Sequence, residues 1–232
     1  MTGKATVYHG SQFIIKKPVF GEGNPLNDYG LGFYCTHDAE LAKEWACTAE
    51  NSGYANTYEL DMTNLSVMNL SGADYNILNW LAVLLNYRKF RISSDVAAEG
   101  KAYLLEKFLP DTSMCDIIVG YRADDSYFSF ANAFLNNTLT LERLEIAMYL
   151  GELGEQTVLK TKRAFEQIAF VRSEVADREV YYTKRSARDR EARAIYRRER
   201  GQIRASDSVY LMDILRGGWS SDDVRIRRNI SG

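Results

Sequence analysis

The stretch Asp28-Tyr29-Gly30-Leu31-Gly32-Phe33-Tyr34-Cys35-Thr36 is a glycine-punctuated loop that runs into an aromatic pair. Gly30 and Gly32 allow backbone geometry closed to other residues, so Phe33 and Tyr34 emerge at the edge of a short strand over Gly32 to Cys35. Upstream, Tyr8-His9-Gly10-Ser11 ends the first apolar run and carries one of the two histidines of the chain. Ala5 to His9 reads as a strand broken at Gly10, and residues 11–31, with Pro18 and Pro25, read as loop.

Outward from these strings, Asp38 is an N-cap candidate for a helix in which Ala42, Trp45, Ala46 and Ala49 recur at i, i+3, i+4 and i+7, with Gly53 as its end. Thr57 to Asp61 alternates as a strand, and Leu65 to Leu70 is expected to pair with it. Residues 74–91 predict a helix buried through Ile77, Leu78, Leu81, Leu84 and Leu85, and 94–108 a second that stops before Pro110. The run Cys115 to Tyr121 is a buried strand. Helical spacing returns at Tyr127, Phe130, Ala131 and Phe134, and again over 140–150. Strands over Gln156 to Lys160 and Ile168 to Val171 flank a helical turn at 162–167. A charged helix over 186–200 closes at Gly201, and Tyr210 to Leu215 packs back onto the body. The fold class is α+β: a small, split, mixed or antiparallel sheet with a helical insertion near 74–110. One domain over 1–171 and a C-terminal helical extension over 172–232, packed on the same domain, follow from this pattern.

Among 232 residues, 46% are hydrophobic and 26% charged, ordinary values for a globular chain, and the net charge of −2 draws it to neither nucleic acid nor membrane. Residues 172–204 hold eleven Lys/Arg against six Asp/Glu, a local excess of five positive charges that leaves −7 elsewhere. These arginines alternate with acids, which favours a solvated helix face over contact with phosphate backbones. Cys35, Cys47 and Cys115 show neither disulfide nor zinc spacing. No signal peptide is evident, and a cytoplasmic protein is expected, with specialised export as the exception.

His9, Ser11 and Tyr34 place an imidazole, a hydroxyl and an aromatic ring near one cleft, a set suited to holding a nicotinamide nucleotide by its ribose and its ring. Gly10 gives a ligand close access to the backbone. Taken singly, a strand-end histidine and a glycine-rich hairpin are as often structural; their order and proximity favour the cleft. His37, at a helix start, reads as structural. Asp124 and Asp125 follow a strand and either act as acid and base or cap the next helix, the better reading for Asp125. Glu155 and Gln156 open a strand from which a carboxylate or amide reaches a ribose hydroxyl.

The string 28–36, together with Ala42-Lys43-Glu44-Trp45-Ala46, Cys115-Asp116-Ile117-Ile118-Val119-Gly120, Ala123-Asp124-Asp125 and Gln156-Thr157-Val158-Leu159-Lys160-Thr161, resembles a widespread family of bacterial domains catalogued as of unknown function and grouped with the ADP-ribosyltransferases. The likeness spans roughly residues 6–171, and Asp213-Ile214-Leu215 is similar to the family's C-terminal end. It implies NAD as co-substrate, no metal, and a cleft in a split sheet. By resemblance to the His–Tyr class, His9 bonds a ribose hydroxyl, Gly10 offers backbone groups to the nicotinamide amide, and Tyr34 stacks on the nicotinamide ring, with Ser11, Gly32 and Phe33 beside them. Where that class carries a glutamate near the start of a late strand, this chain has Gln156, which holds a hydroxyl but is no general base; Glu155, Asp124 or Asp125 is then expected to supply a carboxylate. The acceptor of ADP-ribose is a protein or a nucleic acid, with an antitoxin or host protein among the partners and a toxin or effector role by analogy. An NAD glycohydrolase and a non-catalytic nucleotide-binding module are the alternatives.

Overall fold

Two β-sheets meet along the strands that carry the two strings. In the computed structural model, which describes residues 3–123, 125–149, 154–199 and 208–229, β1 (Lys4–Ser11), β3 (Gly53–Asp61) and β7 (Ile168–Ala176) form an antiparallel sheet in the order β1–β3–β7. The second sheet has the order β2–β6–β5–β4, from β2 (Phe33–Cys35), β4 (Val67–Asn69), β5 (Ile117–Tyr121) and β6 (Glu155–Leu159). Tyr8 N–H donates to the Thr36 carbonyl at 2.8 Å and Thr36 N–H to the Tyr8 carbonyl at 2.9 Å, which joins β1 to the end of β2. The split, mixed α+β architecture expected from the sequence is present.

The middle of the second sheet is buried on both faces, which explains its unbroken apolar run. Ile117, Val119 and Leu159 face the first sheet with Val7, Phe33, Tyr58 and Leu60. Ile118 and Val158 face a helical layer built from α2 (Ile77–Tyr87), α3 (Asp95–Lys107), α4 (Asp125–Leu135) and α5 (Leu141–Tyr149). The five apolar positions predicted to bury α2 are all buried. Leu211 and Ile214 of α8 (Leu211–Gly217) and Ile226 of α9 (Val224–Asn229) complete that core, so the C-terminal segment does pack onto the body. No helix among the described residues is long and apolar enough to cross a membrane.

Several expectations change. Residues 65–70 do not pair with β3: β4 lies parallel to β5. The Asp116 carboxylate accepts from Ser66 N–H at 2.9 Å while Asp116 N–H donates to the Ser66 carbonyl at 2.9 Å, and this pulls the segment into the other sheet. The helices over 74–110 are therefore the crossover that two parallel neighbours require. Strand β1 runs through Gly10 to Ser11, and the first helix, α1 (Ala39–Ala46), stops short of Ala49, with Gly53 opening β3 instead. Asp38 is its N-cap, accepting from Glu40 and Leu41 N–H. Strand β7 extends to Ala176 because β3 offers partners along its whole length, and α7 (Arg178–Glu199) follows at once, earlier than expected. Gly201 lies outside the described residues.

Candidate functional site

A cavity of about 580 Å³ opens beside the seam between β1 and β2, walled by α1, α7 and the start of β6. Its volume falls within the range of small-molecule sites. His9, Tyr34 and Gln156, on three separate strands, all line it.

His9 Nδ1 is 2.6 Å from the Tyr34 carbonyl oxygen, which can only accept, so the proton sits on Nδ1 and Nε2 keeps its lone pair. Burial lowers the imidazole pKa, against a smaller upward pull from that carbonyl, and holds the ring neutral. The ring stacks on Phe33 at 4.3 Å between centroids and 28° between planes. Tyr34 is fixed through its hydroxyl, which donates to the Gly30 carbonyl at 2.5 Å and accepts from Tyr29 N–H at 3.1 Å.

Behind these lies a carboxylate. Asp28 is 5% exposed, and its Oδ2 accepts from Gln156 Nε2 at 2.9 Å and from Ala123 N–H at 3.0 Å. Oδ1 stands 3.6 Å from an Arg88 guanidinium nitrogen. Burial raises the carboxyl pKa, and the two hydrogen bonds and Arg88 only moderate the rise. With its nitrogen turned to Asp28, Gln156 keeps its carbonyl oxygen as the end able to accept a hydrogen bond.

The loop that carries Asp28 is held on every side. Tyr29 is fully buried; its hydroxyl donates to the Tyr121 carbonyl at 2.6 Å and accepts from Trp80 Nε1 at 2.7 Å. Gly120 makes room, since a Cβ there would lie 2.3 Å from that hydroxyl. Gly30 adopts φ +72°, the left-handed region, and a side chain there would strike the Tyr87 ring. Lys160 Nζ donates to the carbonyls of Tyr29 and Leu31, and burial lowers its pKa to about 8.

The lining is also cationic. Arg88, Arg122, Arg185 and Arg188 line the cavity against the carboxylates of Asp28 and Glu44. Arg122 lies over the Trp45 indole at 4.4 Å, Arg88 over the Phe128 ring at 4.6 Å, and Arg188 bonds the buried Glu44 at 2.8 Å. Trp45 Nε1 is a buried donor with no hydrogen-bond partner among the described residues.

Other predicted residues fall elsewhere. Ser11 accepts from Phe13 N–H outside the cavity, and Phe33 is core, packed on His9, Tyr58 and Phe165. Gly32 does not line the cavity either; its missing side chain lets β2 approach Leu159 and Val158 of β6. Gly10 lines the cavity, yet a Cβ there would point into α1, 2.0 Å from the Ala42 carbonyl oxygen, so the close approach is that of a helix. Glu155 is exposed in a neighbouring cavity of about 500 Å³ that also contains His37. His37 is structural, with its ring nitrogens 3.2 Å from the Thr6 carbonyl and 3.2 Å from the Thr157 hydroxyl. Asp124 and the side chain of Asp125 lie outside the described residues, although α4 does begin at Asp125. Asp28 and the four arginines went unassigned in the sequence, though Asp28 heads the decisive string and Arg122 directly follows a predicted strand.

Residues 5–170 match a family described as "Protein of unknown function (DUF3990)". The chain belongs to the DUF3990 family. The match agrees with the span of 6–171 expected from the ordered motifs. No curated protein and no solved structure matches the chain. Within the DUF3990 region lie nearly all of β1, β2 to β6 and α1 to α5, and thus His9, Asp28, Tyr34, Arg88, Arg122 and Gln156. The wall supplied by α7 lies beyond it.

Proposed function

We propose that the cavity binds NAD and that the protein is an ADP-ribosyltransferase that cleaves the nicotinamide–ribose bond and passes ADP-ribose to a macromolecular acceptor. The observation that carries this reading is the meeting of His9, Tyr34 and Gln156 in one cavity with a buried carboxylate behind them. The donor set fits a dinucleotide: guanidinium groups for phosphate oxygens, a neutral imidazole and an amide oxygen for ribose hydroxyls, and an aromatic face for a planar ring.

In this reading, His9 Nε2 accepts from one ribose hydroxyl and Gln156 Oε1 from another. Tyr34 presents its ring to the nicotinamide, its rotation blocked by the two hydrogen bonds of its hydroxyl. The C1′–N bond breaks with its electron pair leaving on nicotinamide, which departs neutral. The ribose develops positive charge, and the Asp28 carboxylate, fixed by Gln156 and Ala123, opposes it. The acceptor attacks C1′ and gives its proton to Asp28. This assigns to Asp28 the carboxylate role left open at Gln156.

Incubating the full chain with labelled NAD and a cell lysate tests the proposal. Labelled macromolecule and free nicotinamide are expected. Free ADP-ribose without labelled macromolecule would make water the acceptor. His9→Ala and Tyr34→Ala should each weaken NAD binding by about tenfold, the value of one hydrogen bond or ring contact in a partly buried site. Unchanged binding and turnover in both variants would remove the assignment.

A further inference from the structure

Helix α7 lies beyond the DUF3990 region, yet it forms one wall of the cavity through Tyr182, Arg185, Ser186 and Arg188. We propose that α7 builds an anion subsite there, with Arg185 and Arg188 as its donors, that takes the diphosphate of a dinucleotide. This rests on the NAD reading for the identity of the ligand but not for the presence of the anion site.

Helix α7 is mostly polar in sequence and docks through a narrow face. Tyr181 and Tyr182 pack on Ala46, Cys47 and Ala176, and polar contacts to the α1 region add to this: Tyr181 and Lys184 bond Glu40 at 3.2 and 2.9 Å, and Arg178 donates to the Ala49 carbonyl at 2.6 Å. Arg188 bonds Glu44 at 2.8 Å. Positions 181, 184, 185 and 188 share one helix face by their three- and four-residue spacing, so the same latch turns Arg185 toward the cavity. There Arg185 makes one long contact, 3.5 Å to the Cys47 carbonyl, which engages one of its five N–H donors.

Charge in the lining points the same way. Among the described residues, four guanidinium groups face two carboxylates. One carboxylate is bonded to Arg188 and the other stands beside Arg88, and among the described residues neither pairs with Arg185. Planar guanidinium forks match the tetrahedral oxygens of phosphate in a bidentate manner, and several around one concavity suit two linked phosphoryl groups. A nucleic-acid backbone needs an extended basic track; a cavity of about 580 Å³ encloses a short ligand instead.

The test measures binding of inorganic pyrophosphate and of NAD to the full chain by calorimetry at low salt. Arg185→Ala is the primary variant, because among the described residues this exposed side chain makes only the long contact to the Cys47 carbonyl; Arg185→Glu reverses the charge, and Arg188→Lys keeps a cation beside Glu44. Thermal melting confirms that each folds. Both ligands are expected to bind wild type, about tenfold more weakly in Arg185→Ala and more weakly still in Arg185→Glu. Nicotinamide riboside, which has no phosphate, should bind all of them alike. Wild type that fails to bind pyrophosphate overturns the subsite, as does Arg185→Ala with unchanged or tighter affinity, the latter meaning that α7 obstructs the cavity. NAD binding that ignores all three variants removes the subsite and leaves the NAD reading standing. Arg185-dependent pyrophosphate binding without NAD binding supports the subsite and removes that reading.

Discussion

Asp28→Asn is expected to leave NAD affinity within about threefold of wild type while lowering NAD cleavage by about 10²- to 10⁴-fold, the usual worth of a positioned acid or base. The exchange is nearly isosteric. The amide oxygen can take the place of Oδ2 and keep the hydrogen bonds from Gln156 and Ala123, and the amide nitrogen then faces Arg88, which is partly exposed and able to turn aside. The loop should hold, so the loss belongs to kcat and not to KM. The negative charge set against the ribose cation is gone, and so is the acceptor for the proton.

The pH profile carries the same signature. Burial raises the Asp28 carboxyl above its ordinary value, so the acid limb of NAD cleavage in wild type should lie above that of a free aspartate and vanish in the variant. For stability the sign is opposite to that of a salt-bridged aspartate. A folded-state pKa above the unfolded one gives stability that is present below the unfolded value and lost as pH rises through the folded value. At neutral pH the buried charge is therefore a net burden on the fold, and Asp28→Asn should melt no lower than wild type once that relief offsets the weakened Arg88 contact. Full turnover by Asp28→Asn would remove the carboxylate from the chemistry.

How far such a site is legible in a sequence depends on whether its partners are local. Helices α2 and α3, the buried strand β5 and the Asp38 cap were all legible, because periodicity and capping are properties of a few adjacent residues. The pairing of β4 was not, since a three-residue strand has too little pattern to name its neighbour, and the bonds between Ser66 and Asp116 span fifty positions. The same divide runs through the cavity. His9 and Tyr34 stood out by their glycine-flanked strings. Asp28 was in view in the same string, but its meaning comes from Gln156, which meets it only after β2 and β6 pair. The charge alternation of α7 read as a solvated face, and most of its described positions are exposed; the pairing of Lys184 with Glu40 and of Arg188 with Glu44 was not legible, because those acids belong to a distant helix.

Gly10→Ala is expected to destabilise the fold by about 1–3 kcal/mol, the range for forcing added volume into a packed interior, and to lower the melting temperature by about 2–4 °C per kcal/mol. A Cβ at this position would stand 2.0 Å from the Ala42 carbonyl oxygen and 2.8 Å from Ala46 N. Both are backbone atoms of α1, so no side chain can turn aside and the helix itself must lift from β1. Gly53 on β3 has the same relation to α1, with the Ala46 carbonyl oxygen 2.3 Å from its hypothetical Cβ, which leaves the helix no direction of easy retreat along the sheet. Displacing α1 also moves Glu44 and Trp45, two residues of the cavity lining, so NAD affinity should fall together with stability. That coupling separates the two meanings of a glycine beside a site histidine. If the backbone at position 10 were kept bare for a ligand, alanine would weaken NAD binding and leave the melting temperature of the free protein unchanged. Because α1 occupies that space, the free protein should already melt lower, and thermal melting without ligand decides between them.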